Sequence, residues 1–119
     1  MKTHSQQDLA WAYQVVSRKE KVTREYRTAV LKMTDLIQTC GLAQAVAFAK
    51  AKAKAKEGES YKALMNDLKD LSFLKDDPLK MVLEAQTAEY MRLTRRTLLA
   101  LGFLKRMVEA HYEKTEEDK

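Results

Sequence analysis

The sequence is poor in turn-forming residues. Its 119 residues include three Gly and one Pro, where average usage of the two would be roughly 12%. Strand-rich folds need frequent turns, and turns draw heavily on Gly and Pro. Sandwiches, barrels and collagen-like chains are therefore disfavoured, and few long elements are expected. Cys40 is the only cysteine. Neither an internal disulfide nor a Cys-based zinc cage can form, and a reducing compartment is the natural setting. Histidine is equally scarce, with only His4 and His111. The longest unbroken apolar run, counting Gly, is Leu98 to Leu104, far too short to span a bilayer. Met1 to Asp8 is polar with no apolar stretch behind it, so no secretory signal is expected. A cytoplasmic protein with no membrane partner follows as the expectation.

What is present suits helices. Charged residues make up 33% and hydrophobic residues 45%, enough for one core beneath solvated outer faces. The expected fold is all-α, a compact bundle of about five to six helices with a long C-terminal helix. It forms a single domain over 1–119, with 1–4 and 113–119 frayed. The net charge of +5 is uneven. Residues 1–60 carry 11 Lys/Arg against 6 Asp/Glu, and residues 61–119 carry 11 against 11. A basic surface favours polyanions, although solubility alone also accounts for such a charge.

Helix signals recur along the chain. Thr3 or Ser5 can cap a first helix, with Leu9, Ala12, Tyr13 and Val16 on its apolar face and Trp11 off that stripe. Thr23 can cap a second helix. Its stripe of Tyr26, Val30, Met33, Ile37 and Cys40 makes Cys40 a small buried hydrophobe. Gly41 ends this helix as a left-handed cap. A third helix is predicted from about Leu42 to Lys56, with Leu42, Ala45, Val46 and Ala49 inward. Its Ala-Lys tract is either a solvated helix end or a phosphate-contacting arm. Ser60 can cap a fourth helix with the stripe Tyr61, Leu64, Met65, Leu68 and Leu71. Asp77 followed by Pro78 is a strong helix start. Leu79 to Tyr112 is then one helix or two, with any break near Gln86-Thr87.

Catalytic chemistry finds little support. A triad needs His, a nucleophile and an orienting acid in one place, and nothing flags a nucleophile here. No Glu-x-x-His spacing, phosphate loop or dinucleotide fingerprint occurs. Asp67, Asp70, Asp76 and Asp77 look like surface and capping groups. No metal and no cofactor are expected, and the chain is not expected to be an enzyme. Thr34 to Phe48 reads helix, Gly turn, helix, but only Gln44 of its second helix could read a base edge. Tyr13, Tyr26, Phe48, Tyr61 and Tyr90 fall on or near apolar stripes and are expected in the core. Scattered bases without a stacking platform suit phosphate contacts, which position a strand without reading it.

Three stretches carry a family resemblance. They are Ser5 to Tyr13 with Val16, then Glu25-Tyr26-Arg27 through Lys32 to Gly41-Leu42-Ala43-Gln44-Ala45-Val46-Ala47-Phe48, then Glu89-Tyr90 through Phe103-Leu104-Lys105-Arg106 to Ala110. In order and content they resemble the small helical subunit of the Cmr complex, the type III-B CRISPR effector. The small subunit of the type III-A complex is a near neighbour. The resemblance implies a non-catalytic subunit that stacks in several copies beside the backbone subunits and the large polymerase-like subunit. It implies contact with the guide RNA–target RNA duplex through phosphates, while base pairing supplies specificity. The nucleic-acid-binding candidates are Arg24, Arg27 and Lys32 in the densest basic stretch. Lys50 and Lys54 share one side of the third helix. Arg95 and Arg106 lie about three turns apart in the acid-free stretch 90–108. The alternative is a helical protein–protein adaptor with a basic face and no nucleic-acid role.

Overall fold

A computed structural model describes residues 3–55, 58–71 and 77–112. Among them six helices follow one another: α1 (His4–Arg18), α2 (Arg24–Cys40), α3 (Leu42–Ala53), α4 (Glu59–Lys69), α5 (Pro78–Glu84) and α6 (Thr87–His111). No strand occurs among the described residues. The expected all-α bundle with a long last helix is the observed one. Helix α2 is central and packs against α3, α4 and α6. Helix α1 lies along α6, and α3 also meets α4 and α5.

The caps explain where the helices begin. Thr3 and Gln6 form a reciprocal capping box at α1, the Thr3 Oγ1 accepting from the Gln6 amide at 3.1 Å. Thr23 Oγ1 accepts from the Tyr26 amide at 3.0 Å, with Glu25 in the first turn. Asp77 Oδ1 accepts from the Leu79 and Lys80 amides, and Pro78 occupies the first turn of α5. Ser60 is not the cap of α4. The cap falls two residues earlier, on Gly58, where a side chain has no room, and the helix starts at Glu59. A Cβ on Gly58 would run into the Lys52 carbonyl. The long closing segment breaks at Ala85-Gln86, as the second of the two predicted alternatives had it.

Helix α3 has no side-chain cap of its own. Its Ala43 amide instead donates to the Tyr90 hydroxyl of α6 at 3.0 Å, which satisfies one orphan donor of the helix start. Gly41 adopts φ 93° and ψ 162°. The positive φ was foreseen, but ψ is extended, so this is not the left-handed helical cap. A Cβ at Gly41 would sit 3.3 Å from the Tyr90 hydroxyl.

The buried faces match the predicted stripes in α3 and α4: Leu42, Ala45, Val46 and Ala49 are buried, as are Leu64, Met65, Leu68 and, just beyond α4, Leu71. Three expectations need correction. The inward face of α1 is Asp8, Trp11, Ala12, Val15 and Val16, whereas Leu9 and Tyr13 are 40% and 51% exposed. A polar residue at position 8 hides the true stripe, and its partner Arg96 lies on the last helix. Cys40 is exposed, because α2 ends there and the chain reverses at Gly41 so that Leu42 takes the next buried place. Of the aromatics expected in the core, Tyr26 is buried, Phe48, Tyr61 and Tyr90 are half-buried, and Tyr13 is outside. Helix α3 stops at Ala53; Lys56, Asp76 and the tail 113–119 lie outside the described residues.

Candidate nucleic-acid interface

The bases divide into those that hold the fold together and those that face water. At one end of the bundle Asp67 of α4 gathers residues from three other segments. It accepts from the Tyr26 hydroxyl at 2.7 Å and from Lys19 Nζ at 3.0 Å. Arg18 approaches its other oxygen at 3.6 Å and Asp70 at 3.0 Å. The Trp11 indole donates to the Asp67 carbonyl at 2.8 Å. Asp67 is thus no surface group: its side chain is only 13% exposed. Burial, and then the charge and hydrogen bond of Asp67, hold the Tyr26 phenol far above its ordinary pKa. It stays protonated and keeps donating.

Two further pairs tie α6 to the bundle. Arg96 reaches Asp8 at 3.1 Å, and Asp8 is almost wholly buried. Arg27 Nε donates to Glu109 at 2.8 Å, and its guanidinium lies 5.2 Å from the centre of the Tyr112 ring. The densest basic stretch of the sequence therefore supplies Arg18, Lys19 and Arg27 to internal pairs. Arg24 and Lys32 stand exposed on α2.

The lysines of the third and fourth helices are arranged differently. Lys50 and Lys54, from α3 and its C-terminal cap, and Lys62 and Lys69 on α4 line one open groove of about 580 Å³ with Ala53, Met65, Asn66, Asp77 and Pro78. Lys54, Lys62 and Lys69 are exposed. Lys50 Nζ lies 3.8 Å from Asp77 Oδ2. The α3–α4 pairing that creates the groove is anchored by an edge-to-face contact of Phe48 with Tyr61, centroids 5.8 Å apart. Lys62 and Lys69 were missed as site residues. Their seven-residue spacing puts them on one helix face, but only the pairing of α3 with α4 reveals that this face borders Lys50 and Lys54.

On α6, Arg95 and Arg106 are both exposed. Arg106 leans over Phe103 at 5.8 Å. Arg95 is flanked one turn either side by Met91 and Leu99, which are 58% and 56% exposed. Arg92 pairs with Glu89 within its own helix at 2.8 Å. The two histidines lie at the start of α1 and the end of α6. His111 packs beside Tyr13 and places Nδ1 2.9 Å from the Met107 carbonyl. Among the described residues no group of three His, Cys, Asp or Glu gathers closely enough to hold a metal ion. None of the described helices is long and apolar enough to cross a membrane.

Residues 4–111 match the sequence model of a family described as CRISPR-associated protein (Cas_Cmr5). The chain belongs to the Cmr5 family. A curated relative from Thermus thermophilus, described as CRISPR system Cmr subunit Cmr5, is 36% identical over 117 residues, which cover 95% of this chain and 99% of the relative. The crystal structure of a CRISPR-associated Cmr5 family protein from the same organism aligns with a TM-score of 0.77 at 34% identity. It covers 95% of this chain and 100% of that one. Within this Cmr5-family fold the sequence resemblance gains a structural reason at several points. Tyr26 is the donor to Asp67, Gly41 makes the sharp turn, Leu42 enters the core and Tyr90 caps α3.

Proposed function

We propose that this protein is the small subunit of a type III-B (Cmr) RNA-guided silencing complex in antiviral defence. It stacks in several copies beside the backbone and large subunits, contacts the target RNA backbone through basic residues, and contributes no catalysis of its own. Family membership across nearly the whole chain supports the assembly. The observation that carries the RNA contact is on α6. Residues 90–108 contain no acid, and Arg95, Lys105 and Arg106 stand exposed there. Phosphate contact by such groups is independent of sequence and weakens steeply with salt, as a guided complex requires when base pairing does the reading.

The test is target RNA affinity in a complex reconstituted with guide RNA and either wild-type protein or the Arg95→Glu/Arg106→Glu variant. The expected loss is about tenfold or more at low salt. An assembled complex with unchanged target affinity would sink the RNA role. A second reading is a helical adaptor whose basic face meets an acidic protein. Met91 and Leu99 favour it, since apolar groups around a central Arg suit a protein seat. Charge reversal would then weaken subunit assembly and leave RNA affinity per assembled complex untouched.

A further inference from the structure

We propose that the α3–α4 groove is a second, separate phosphate site, in which Lys50, Lys54, Lys62 and Lys69 hold the backbone of a single-stranded nucleic acid. The proposal rests on the RNA-contacting reading above and adds a place, a residue set and an internal competitor. Four ammonium groups converge on one open groove from two helices. Lys50 and Lys54 are spaced by about 6 Å along their helix and Lys62 and Lys69 by about 10 Å. They form two rows of point charges along a track, not a closed pocket for one anion.

The lining decides the kind of anion. Among the described residues no aromatic ring lines the groove, so they offer no platform for stacking bases. The cations among its described lining residues are all lysines, which follow phosphates as mobile point charges and lack the fork of Arg. An acidic peptide would need apolar anchors as well as charge. Here the apolar floor is Ala53, Met65 and Pro78, and Met65 and Pro78 are themselves buried. What remains is a charged track suited to a strand whose bases face away.

Asp77 marks where an anion sits. Its Oδ1 caps α5 while Oδ2 faces Lys50 at 3.8 Å. The carboxylate stands in for a phosphate oxygen and competes with one. Because Asn caps helices as well as Asp does, Asp77→Asn removes the competitor and keeps the cap.

Binding of the full-length protein to a fluorescent oligouridylate is measured across a salt series. Wild type is expected to give a log–log salt slope between about −2 and −3, from up to four phosphate contacts at about 0.7 each. The exposed triple variant Lys54→Gln/Lys62→Gln/Lys69→Gln is expected to lose about two units of slope and at least about tenfold in affinity at low salt. Asp77→Asn is expected to bind about two- to fivefold tighter at low salt, since one repelling charge is gone. Thermal melts check that each variant is folded. If the triple variant binds like wild type, the groove is overturned; loss in Arg95→Gln/Arg106→Gln would then leave the broader reading standing. A polyglutamate peptide that competes as well as RNA on wild type, and not on the triple variant, overturns the nucleic-acid assignment. Wild type without affinity for the oligonucleotide at low salt also overturns it, while the reconstituted complex still judges the broader reading.

Discussion

Two basic regions of this small protein have opposite fates. The stretch 18–32 is the densest in the sequence, with six bases and two acids. Yet Arg18 and Lys19 turn to Asp67 and Asp70, and Arg27 turns to Glu109. The lysines of α3 and α4 are spread over about twenty residues and look ordinary one by one. They end in a single groove, with Asp77 as the one carboxylate among its described lining residues. Charge density along the chain is therefore a poor guide to charge density in space. Acids far away in sequence take up three of the six bases of the first cluster, and helix pairing assembles the second.

The largest expected effect tests whether the inward pairs are structural. Asp8 is nearly buried and meets Arg96, whose side chain is 23% exposed. Removing one member of such a pair leaves the other poorly compensated. Asp8→Ala is expected to cost about 2–4 kcal/mol. That corresponds to a fall in melting temperature of about 10 °C or more for a chain this size. The double change Asp8→Leu/Arg96→Met is expected to recover most of the loss, since an apolar pair of similar volume often replaces a buried ion pair. A single mutant that melts like wild type would mean that Arg96 is not spent on the fold, and that an inward ion pair is no sign of a structural base in this protein.

A smaller effect with a pH signature comes from Tyr26. Tyr26→Phe removes the hydrogen bond to Asp67 and is expected to cost about 1–2 kcal/mol at neutral pH. Wild type should also lose stability under alkali. The folded phenol titrates above its ordinary value of 10.0, so the unfolded chain releases this proton first. The contribution is complete below about pH 10 and declines as pH rises beyond it. The stability difference between wild type and Tyr26→Phe should therefore shrink above about pH 10, read from urea midpoints. A constant difference would show that the phenol ionises equally in both states.

Much of the fold was legible because its signals are local. Thr23, Asp77-Pro78 and Gly41 act within a few residues, and the stripes of α3 and α4 are purely apolar. Helix α1 was misread because its inner face contains Asp8, whose burial depends on Arg96 across the bundle. Trp11 looked peripheral because its indole partner is a backbone carbonyl of α4. Cys40 fitted a period that the fold cuts short at the helix end. Of the candidate interface, Lys50 and Lys54 were visible as a pair on one helix. Lys62 and Lys69 were not, since no spacing within α4 says which neighbour its outer face borders.

The smallest effects sharpen the comparison most finely. Arg27 and Glu109 are 31% and 43% exposed, so their pair is screened by water and salt. Arg27→Gln is expected to cost only about 0.3–1 kcal/mol. Most of this should vanish in about 1 M salt, where the screening length is about 3 Å. Lys62→Gln should move the other way. It relieves repulsion from three neighbouring ammonium groups, so the expected change is between zero and about 0.5 kcal/mol of added stability at low salt. Opposite signs in denaturant titrations, converging at high salt, would show that one basic residue supports the fold while the other is carried at its expense. A destabilising Lys62→Gln would instead make the groove lysines structural, and the distinction between the two regions would collapse to one of degree.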